Sequence, residues 1–394
     1  MKHKILLATT LNWPSTARLA GAFALLGAAV EAVAPRRHVL NASRYPKHVH
    51  RYAPFDPLGS FARAIETAEP TRVIACDDRA LMLLLALSRF APLLRQSLGP
   101  LESYCVLTAR SPSIAAAREE AVIAPLTLAV GDCAQLPEAI ARVGLPCMMK
   151  SDSSWGGDGV KLVHTAQEAE RAFVRLKGPP ARLRSLARAI LRNDLHFVGE
   201  ALTPRACLVN VQTFVPGTPA TSVFAARDGL VLASLHMDVL ASDGSTGPAS
   251  HMCHVEDVVM EDAARRIAVR FRLSGLIGLD FVRDPAGLPH LVEINPRAAQ
   301  ICHLALGPDL PAALLDAAPR PAVTRLKDIA LFPQLVTGGR PGPAVYEDVP
   351  WDDPGLLRAL ARRPLPKAEP VDSVIQFSRP TGAGPRLWRA VSGR

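Results

Sequence analysis

Rings are scarce in this chain: Trp, Tyr and Phe together make up 5% of its 394 residues. A surface that holds nucleic acid by stacking bases on aromatic side chains is therefore disfavoured. The seven cysteines are scattered, odd in number and contain no C-x-x-C pair. That argues against a disulfide framework and fits a reducing cytoplasm. No apolar run is long enough to span a bilayer. Ile5 to Leu11 is short and ends at Trp13-Pro14 without a cleavage site, and Leu19 to Ala34 contains Glu31. No G-x-G-x-x-G follows the first apolar run, and no G-x-x-x-x-G-K-S/T occurs anywhere. A dinucleotide fingerprint is thus unsupported and the P-loop is excluded. Asp and Glu are missing from Arg171 to Arg192, where seven Arg or Lys stand and carry most of the net charge of +9. With no recognised nucleic-acid motif beside it, this segment reads as a solvated helical face, with a funnel for phosphates as the functional alternative.

The first hundred residues alternate strand and helix signals: strands at 4–10, 30–34 and 72–75, helices at 18–29 and 61–68. Such alternation predicts a parallel α/β unit. Its strand Arg72–Ala75 runs into Cys76-Asp77-Asp78, at the carboxyl edge where open sheets bind ligands. Tyr45 to Pro57 reads as a long surface connection whose His48 and His50 have no third metal ligand nearby. Helices follow at 114–121 and 135–142.

Two later stretches carry the chemistry. Leu145 to Thr165, LPCMMKSDSSWGGDGVKLVHT, predicts strand, glycine-rich loop and strand, with a helix at 166–175 only afterwards. Gly156, Gly157 and Gly159 let the backbone close on a bulky anion, and Lys150 at the preceding strand end neutralises a phosphate. Gly275 to Arg297 predicts a hairpin: apolar strands at 276–282 and 288–294 around Asp284-Pro285-Ala286-Gly287. A turn centred between Ala286 and Gly287 sets Asp280 opposite Glu293, and alternation adds Asn295 and Arg297 to that face. Two like charges on a covered sheet call for a cation between them. The donors are all oxygens, which selects Mg2+ or Mn2+ held by Asp280, Glu293 and Asn295. Between the two stretches, Leu208 to Ala226 predicts a strand, a break at Pro216-Gly217 and a second strand, the pattern of a hinge between lobes. Backbone at Phe214 and Val215 suits an adenine edge, with Gln212 beside it. Ser242 to Pro248 reads as a mobile loop, and the Pro- and Arg-rich tail as an extension packed on the core.

Lys150 before a glycine-rich hairpin, Gln212-x-Phe-Val-x-Gly217, Gly247-Pro248, Asp280-Phe281 and Glu293-Ile-Asn-Pro-Arg297, in that order, resemble the ATP-grasp superfamily. The resemblance covers roughly Thr108 to Gly307. It implies an α/β and α+β architecture: a Rossmann-like domain over 1–105, a two-lobed ATP-grasp domain over 106–307 hinged near 212–218, and a C-terminal extension over 308–394. It further implies ATP held by Lys150, Ser153, Ser154, Gly156, Gly157, Gly159, Gln212, Phe214 and Val215, with Arg297 and Lys150 acting on the transferred phosphoryl or the substrate carboxylate. Two departures stand out. Pro219 occupies the place where the family often has an acidic ribose contact, and no Lys occurs from Ser103 to Met149, so Arg110 is the substitute. The expected activity is a ligase that phosphorylates a carboxylate and couples it to an amine, with small-molecule partners. It excludes neither a homodimer nor the alternative of a non-catalytic nucleotide-binding regulatory or scaffold protein.

Overall fold

The computed structural model describes residues 3–151, 159–177, 208–242, 247–336 and 344–362. They form three sheets. The first is parallel, in the order β3-β2-β1-β4, from β1 (Lys4–Ala8), β2 (Ala29–Pro35), β3 (His48–Tyr52) and β4 (Arg72–Ala75). The second is antiparallel, β5-β8-β6-β7, from β5 (Thr127–Val130), β6 (Cys147–Ser151), β7 (Val160–Val163) and β8 (Val209–Thr213). The third has the order β13-β12-β9-β10-β11-β14-β15. Its strands are β9 (Thr218–Arg227), β10 (Leu230–Ser242), β11 (Ala249–Val255), β12 (Gly275–Arg283), β13 (Pro289–Asn295), β14 (Asp328–Leu331) and β15 (Val345–Asp348).

The N-terminal unit is the expected α/β alternation with shifted boundaries. The first helix runs Pro14–Leu25, because Pro14 sits at the first helical position, where its missing N–H costs nothing. The 45–57 stretch is not only a connection. It contains β3, which pairs with β2, because its prolines at 46, 54 and 57 flank the strand without interrupting it. There His50 Nε2 lies 2.7 Å from Glu31. The tail also departs from expectation. β14 pairs with β11 and β15 pairs with β14, so the chain after 308 extends the large sheet and does not merely pack on it.

Successive residues of β1 face opposite cores, as befits a parallel strand covered on both sides. Leu6 and Ala8 pack with Phe61, Leu81, Phe224, Ile277 and Phe281. Ile5 and Leu7 pack with Phe23, Val223, Met237, Leu304 and Leu357. Both cores reach from the parallel sheet into the seven-stranded one. The small sheet keeps a core of its own, built from Met149, Val163, Phe173, Val209 and Val211. The helices Leu136–Val143 and Ala166–Lys177 complete that lobe. No single helix among the described residues is long and apolar enough to cross a membrane.

The break between β8 and β9 falls at the expected Pro216-Gly217. Gly217 has φ +151°, and a Cβ there would lie 1.8 Å from the carbonyl oxygen of Arg283, at the end of the acidic hairpin. Gly217→Ala must therefore push the interlobe link off the hairpin. A cost of about 1–3 kcal/mol is expected, read as a melting temperature lowered by several degrees in circular dichroism.

Candidate active site

The acidic hairpin forms as its turn chemistry requires: Asp284 Oδ1 accepts from the N–H groups of Ala286 and Leu288. Asp280 pairs with Glu293 across β12 and β13. That pairing is reached through a bulge. Phe281 already pairs with Leu291, so Val292 is an extra residue on β13. The bulge turns the Val292 carbonyl toward the small lobe, where it accepts from Gln212 Nε2 at 3.3 Å and Lys150 Nζ at 3.5 Å.

Asp280, Glu293, Asn295, Lys150 and Arg297 gather in one place. Asn295 Nδ2 donates to Asp280 Oδ2 at 2.8 Å, and Thr221, opposite Asp280 on β9, donates to Oδ1 at 3.2 Å. Gly278, one turn of the pleat away, leaves room for Ala299, because a Cβ there would come within 2.9 Å of it. Burial and the neighbouring Glu293 charge push Asp280 up to about 6, against the opposing pull of Arg297 and Asn295. Glu293 is also raised by burial, but the charges of Arg110 and Lys150 outweigh that and hold it below the usual range. Arg110 Nη1 lies 2.6 Å from Glu293 Oε2. It stands at the start of the helix Arg110–Glu119, where the sequence suggested a substitute for the missing lysine.

Arg297 is held more firmly than expected. Its Nε and Nη2 donate to the two oxygens of Asp78 at 2.9 and 3.0 Å, a bidentate clamp. Nη2 also donates to Asn295 Oδ1 at 3.2 Å, and Nη1 to the Ala298 carbonyl at 3.3 Å. Asp78 opens the helix Asp78–Leu85 at the carboxyl edge of the parallel sheet. Its neighbour Asp77 is buried and accepts from Thr9 Oγ1, Thr10 N and Oγ1, and Leu11 N. Thr9 and Thr10 are thus loop anchors. The edge was legible in the sequence, but its tie to Arg297 was not.

Lys150, buried beside Glu293, Arg110 and Asp280, is pushed down to about 8, chiefly by burial. Gln212 is buried and donates 2.8 Å to Thr127 Oγ1, so its amide bridges the small sheet and the hairpin. Phe214 and Val215 follow the last ladder pair of β8, Thr213 with Cys147. Gly159 closes the glycine hairpin, its carbonyl accepting from Ser151 N at 3.0 Å. Ser153, Ser154, Gly156 and Gly157 lie outside the described residues, as do most of the basic segment after Lys177 and the centre of the 242–248 loop.

Phosphates should therefore change the charge on Lys150. A bound anion favours the ammonium form, so binding between about pH 8 and the ordinary lysine value must take up a proton, and affinity must fall as pH rises through 8. Calorimetry of ATP binding near pH 9 in two buffers of different ionisation enthalpy should show uptake of most of one proton.

No protein-family model and no curated protein sequence matches the chain. Solved structures do. Carboxyaminoimidazole ribonucleotide synthase from Aspergillus clavatus, complexed with ATP, superposes with a TM-score of 0.58 at 15% identity, over 82% of this chain and 78% of that one. The biotin carboxylase domain dimer of 2-oxoglutarate carboxylase from Hydrogenobacter thermophilus, with MgADP, ADP and bicarbonate, gives 0.57 at 13% identity, over 80% and 69%. L-amino acid ligase from Bacillus licheniformis gives 0.57 at 13%, over 81% and 76%. These are ATP-grasp proteins, and the chain has their fold.

Proposed function

We propose that this chain is an ATP-dependent ligase that turns a carboxylate into an acylphosphate for attack by an amine, of the amino acid or peptide type. The observation that carries this reading is the facing pair Asp280 and Glu293, ringed by Lys150, Arg110 and Arg297. A nucleotide-binding scaffold has no need of two adjacent carboxylates on a covered sheet. The donors suit magnesium: two carboxylates and an amide oxygen, a set that nucleotide phosphates complete. Among the described residues no cluster of three or more His, Cys, Asp or Glu forms, so a closed all-protein cage is not on offer. Bound at Asp280, Glu293 and Asn295, Mg2+ would screen the phosphate charge during transfer. The MgADP and ATP in the two structures named above support nucleotide and metal alike.

The chain's own residues do the rest. Lys150 and Arg110 draw the phosphates toward the hairpin. Arg297, immobilised by Asp78, offers its remaining Nη1 hydrogen to the transferred phosphoryl, so its geometry is set before charge develops. The backbone beyond Thr213 takes the adenine, with Gln212 fixing the strand that carries it. The test is ADP release with Mg2+ and ATP across a panel of amino acids and small carboxylates, followed by the mass of the product. ATP binding with no ADP from any pair would overturn the reading in favour of the non-catalytic one.

A further inference from the structure

The two carboxylates of the hairpin are met differently. Asp280 takes neutral donors, Asn295 Nδ2 at 2.8 Å and Thr221 Oγ1 at 3.2 Å. Glu293 takes a cation, for Arg110 Nη1 lies 2.6 Å from its Oε2. Two like charges on a covered sheet call for a positive charge beside them, and here the protein supplies one from its own chain. That guanidinium stands against an oxygen to which Mg2+ would be drawn. A metal arriving alone therefore meets a cation already in place, and in a half-buried site the two repel strongly.

The pair is built to be exchanged. Its side chains keep openings to solvent of 15% and 28%, so ions can reach it. Arg110 also needs an anion opposite it. It opens the helix Arg110–Glu119, Ala109 before it makes no side-chain cap, and the positive end of the helix dipole disfavours a cation there. Glu293 offsets that cost now, and a phosphate oxygen can do so in its place. Any change is confined to the side chain, because the backbone is pinned on both sides. Ser111 Oγ donates to the Thr127 carbonyl at 2.9 Å, Ser113 Oγ to the Arg110 carbonyl at 3.0 Å, and Leu291 N, on β13, to the Ile123 carbonyl at 2.8 Å.

We propose that Arg110 is a counter-ion held in the metal's place, which leaves Glu293 for the nucleotide phosphates as Mg2+ takes the carboxylate. The protein then binds metal together with nucleotide and poorly without it. The exchange rests on the nucleotide and metal site of the reading above, but not on the ligase chemistry. Charge is matched at both stages: guanidinium on carboxylate before, metal on carboxylate and guanidinium on phosphate after. No covalent bond forms or breaks. Linkage makes the coupling reciprocal, so each ligand strengthens the other to the same degree.

Mn2+ alone, followed by electron paramagnetic resonance of the free ion, tests the first half. Arg110→Gln should bind Mn2+ about tenfold more tightly than wild type in the absence of nucleotide. Lys150→Met is the control for a general field effect. It removes a second positive charge whose Nζ is directed to the Val292 carbonyl, and it should raise Mn2+ affinity less than about threefold. The second half is read with ADP in a chelator, by equilibrium dialysis: without metal, Arg110→Gln should bind ADP about tenfold more weakly, the loss of one charge-assisted contact. Unchanged Mn2+ affinity, an equal rise in the two variants, or unchanged ADP affinity would each overturn the proposal. Arg110→Met, which keeps the packed stem, answers the same questions should the glutamine variant fail to fold. Wild-type protein that binds no Mn2+ even with ADP would instead sink the nucleotide and metal reading, and this proposal with it.

Discussion

Glu293→Ala should lower ADP release at least 100- to 1000-fold, the usual cost of removing one electrostatic partner from a transferring group. Here the loss is compounded. Glu293 faces Asp280 and also balances Arg110 and Lys150, so its removal would leave the proposed Mg2+ with one carboxylate and leaves two cations without their counter-charge. The hairpin itself is held by backbone pairs and by the Asp284 turn, none of which involves the Glu293 side chain. Circular dichroism should therefore report an intact fold with a modest fall in melting temperature. Activity within a few-fold of wild type would refute the metal assignment.

Arg297→Lys should cost about 100-fold even though the charge survives. A lysine cannot reproduce the fork that grips both Asp78 oxygens, and an ammonium on a flexible stem has no fixed direction toward the phosphoryl. Burial works against the guanidinium charge, yet Asp78 more than compensates and raises its pKa further, so its protonation is not in play at any working pH. The effect is geometric. A double-mutant cycle with Asp78→Asn separates the two contributions: if Asp78 acts through Arg297, the double variant should be no slower than Arg297→Lys alone. Additive losses would show that Asp78 has a separate task.

The sequence exposed what depends on neighbours along the chain. Turn residues Asp284 to Gly287 and the alternation on either side were enough to find the hairpin and put Asp280 within one residue of its partner, but the pairing with Glu293 is completed by the bulge. The glycine-rich hairpin, the break at Pro216-Gly217 and the helix expected at 166–175, which runs on to Lys177, likewise follow from local chemistry. What stayed hidden depends on distant partners. Arg297 meets Asp78 from 219 positions away. β15 has no strong strand signal and exists because β14 offers it an edge. The Val292 bulge is invisible because skipping one residue changes pairing without changing composition. Gln212 was expected at an adenine, but its placement depends on Thr127 and that same bulge, neither of which lies near it in sequence. Asp348, which meets His303 at 2.7 Å, comes from the tail that the sequence showed only as an extension.

The bulge has a bearing on which length changes this gene can tolerate. Deleting any one codon between Pro289 and Val292 would straighten the ladder and leave Glu293 opposite Asp280, but would remove the bulge that turns the Val292 carbonyl toward the small lobe. Lys150 and Gln212 would lose their shared carbonyl in the same stroke. Deletions here should thus loosen the small lobe from the hairpin whichever residue is removed, whereas point substitutions at His290, whose side chain caps the turn through Asp284, should be mild.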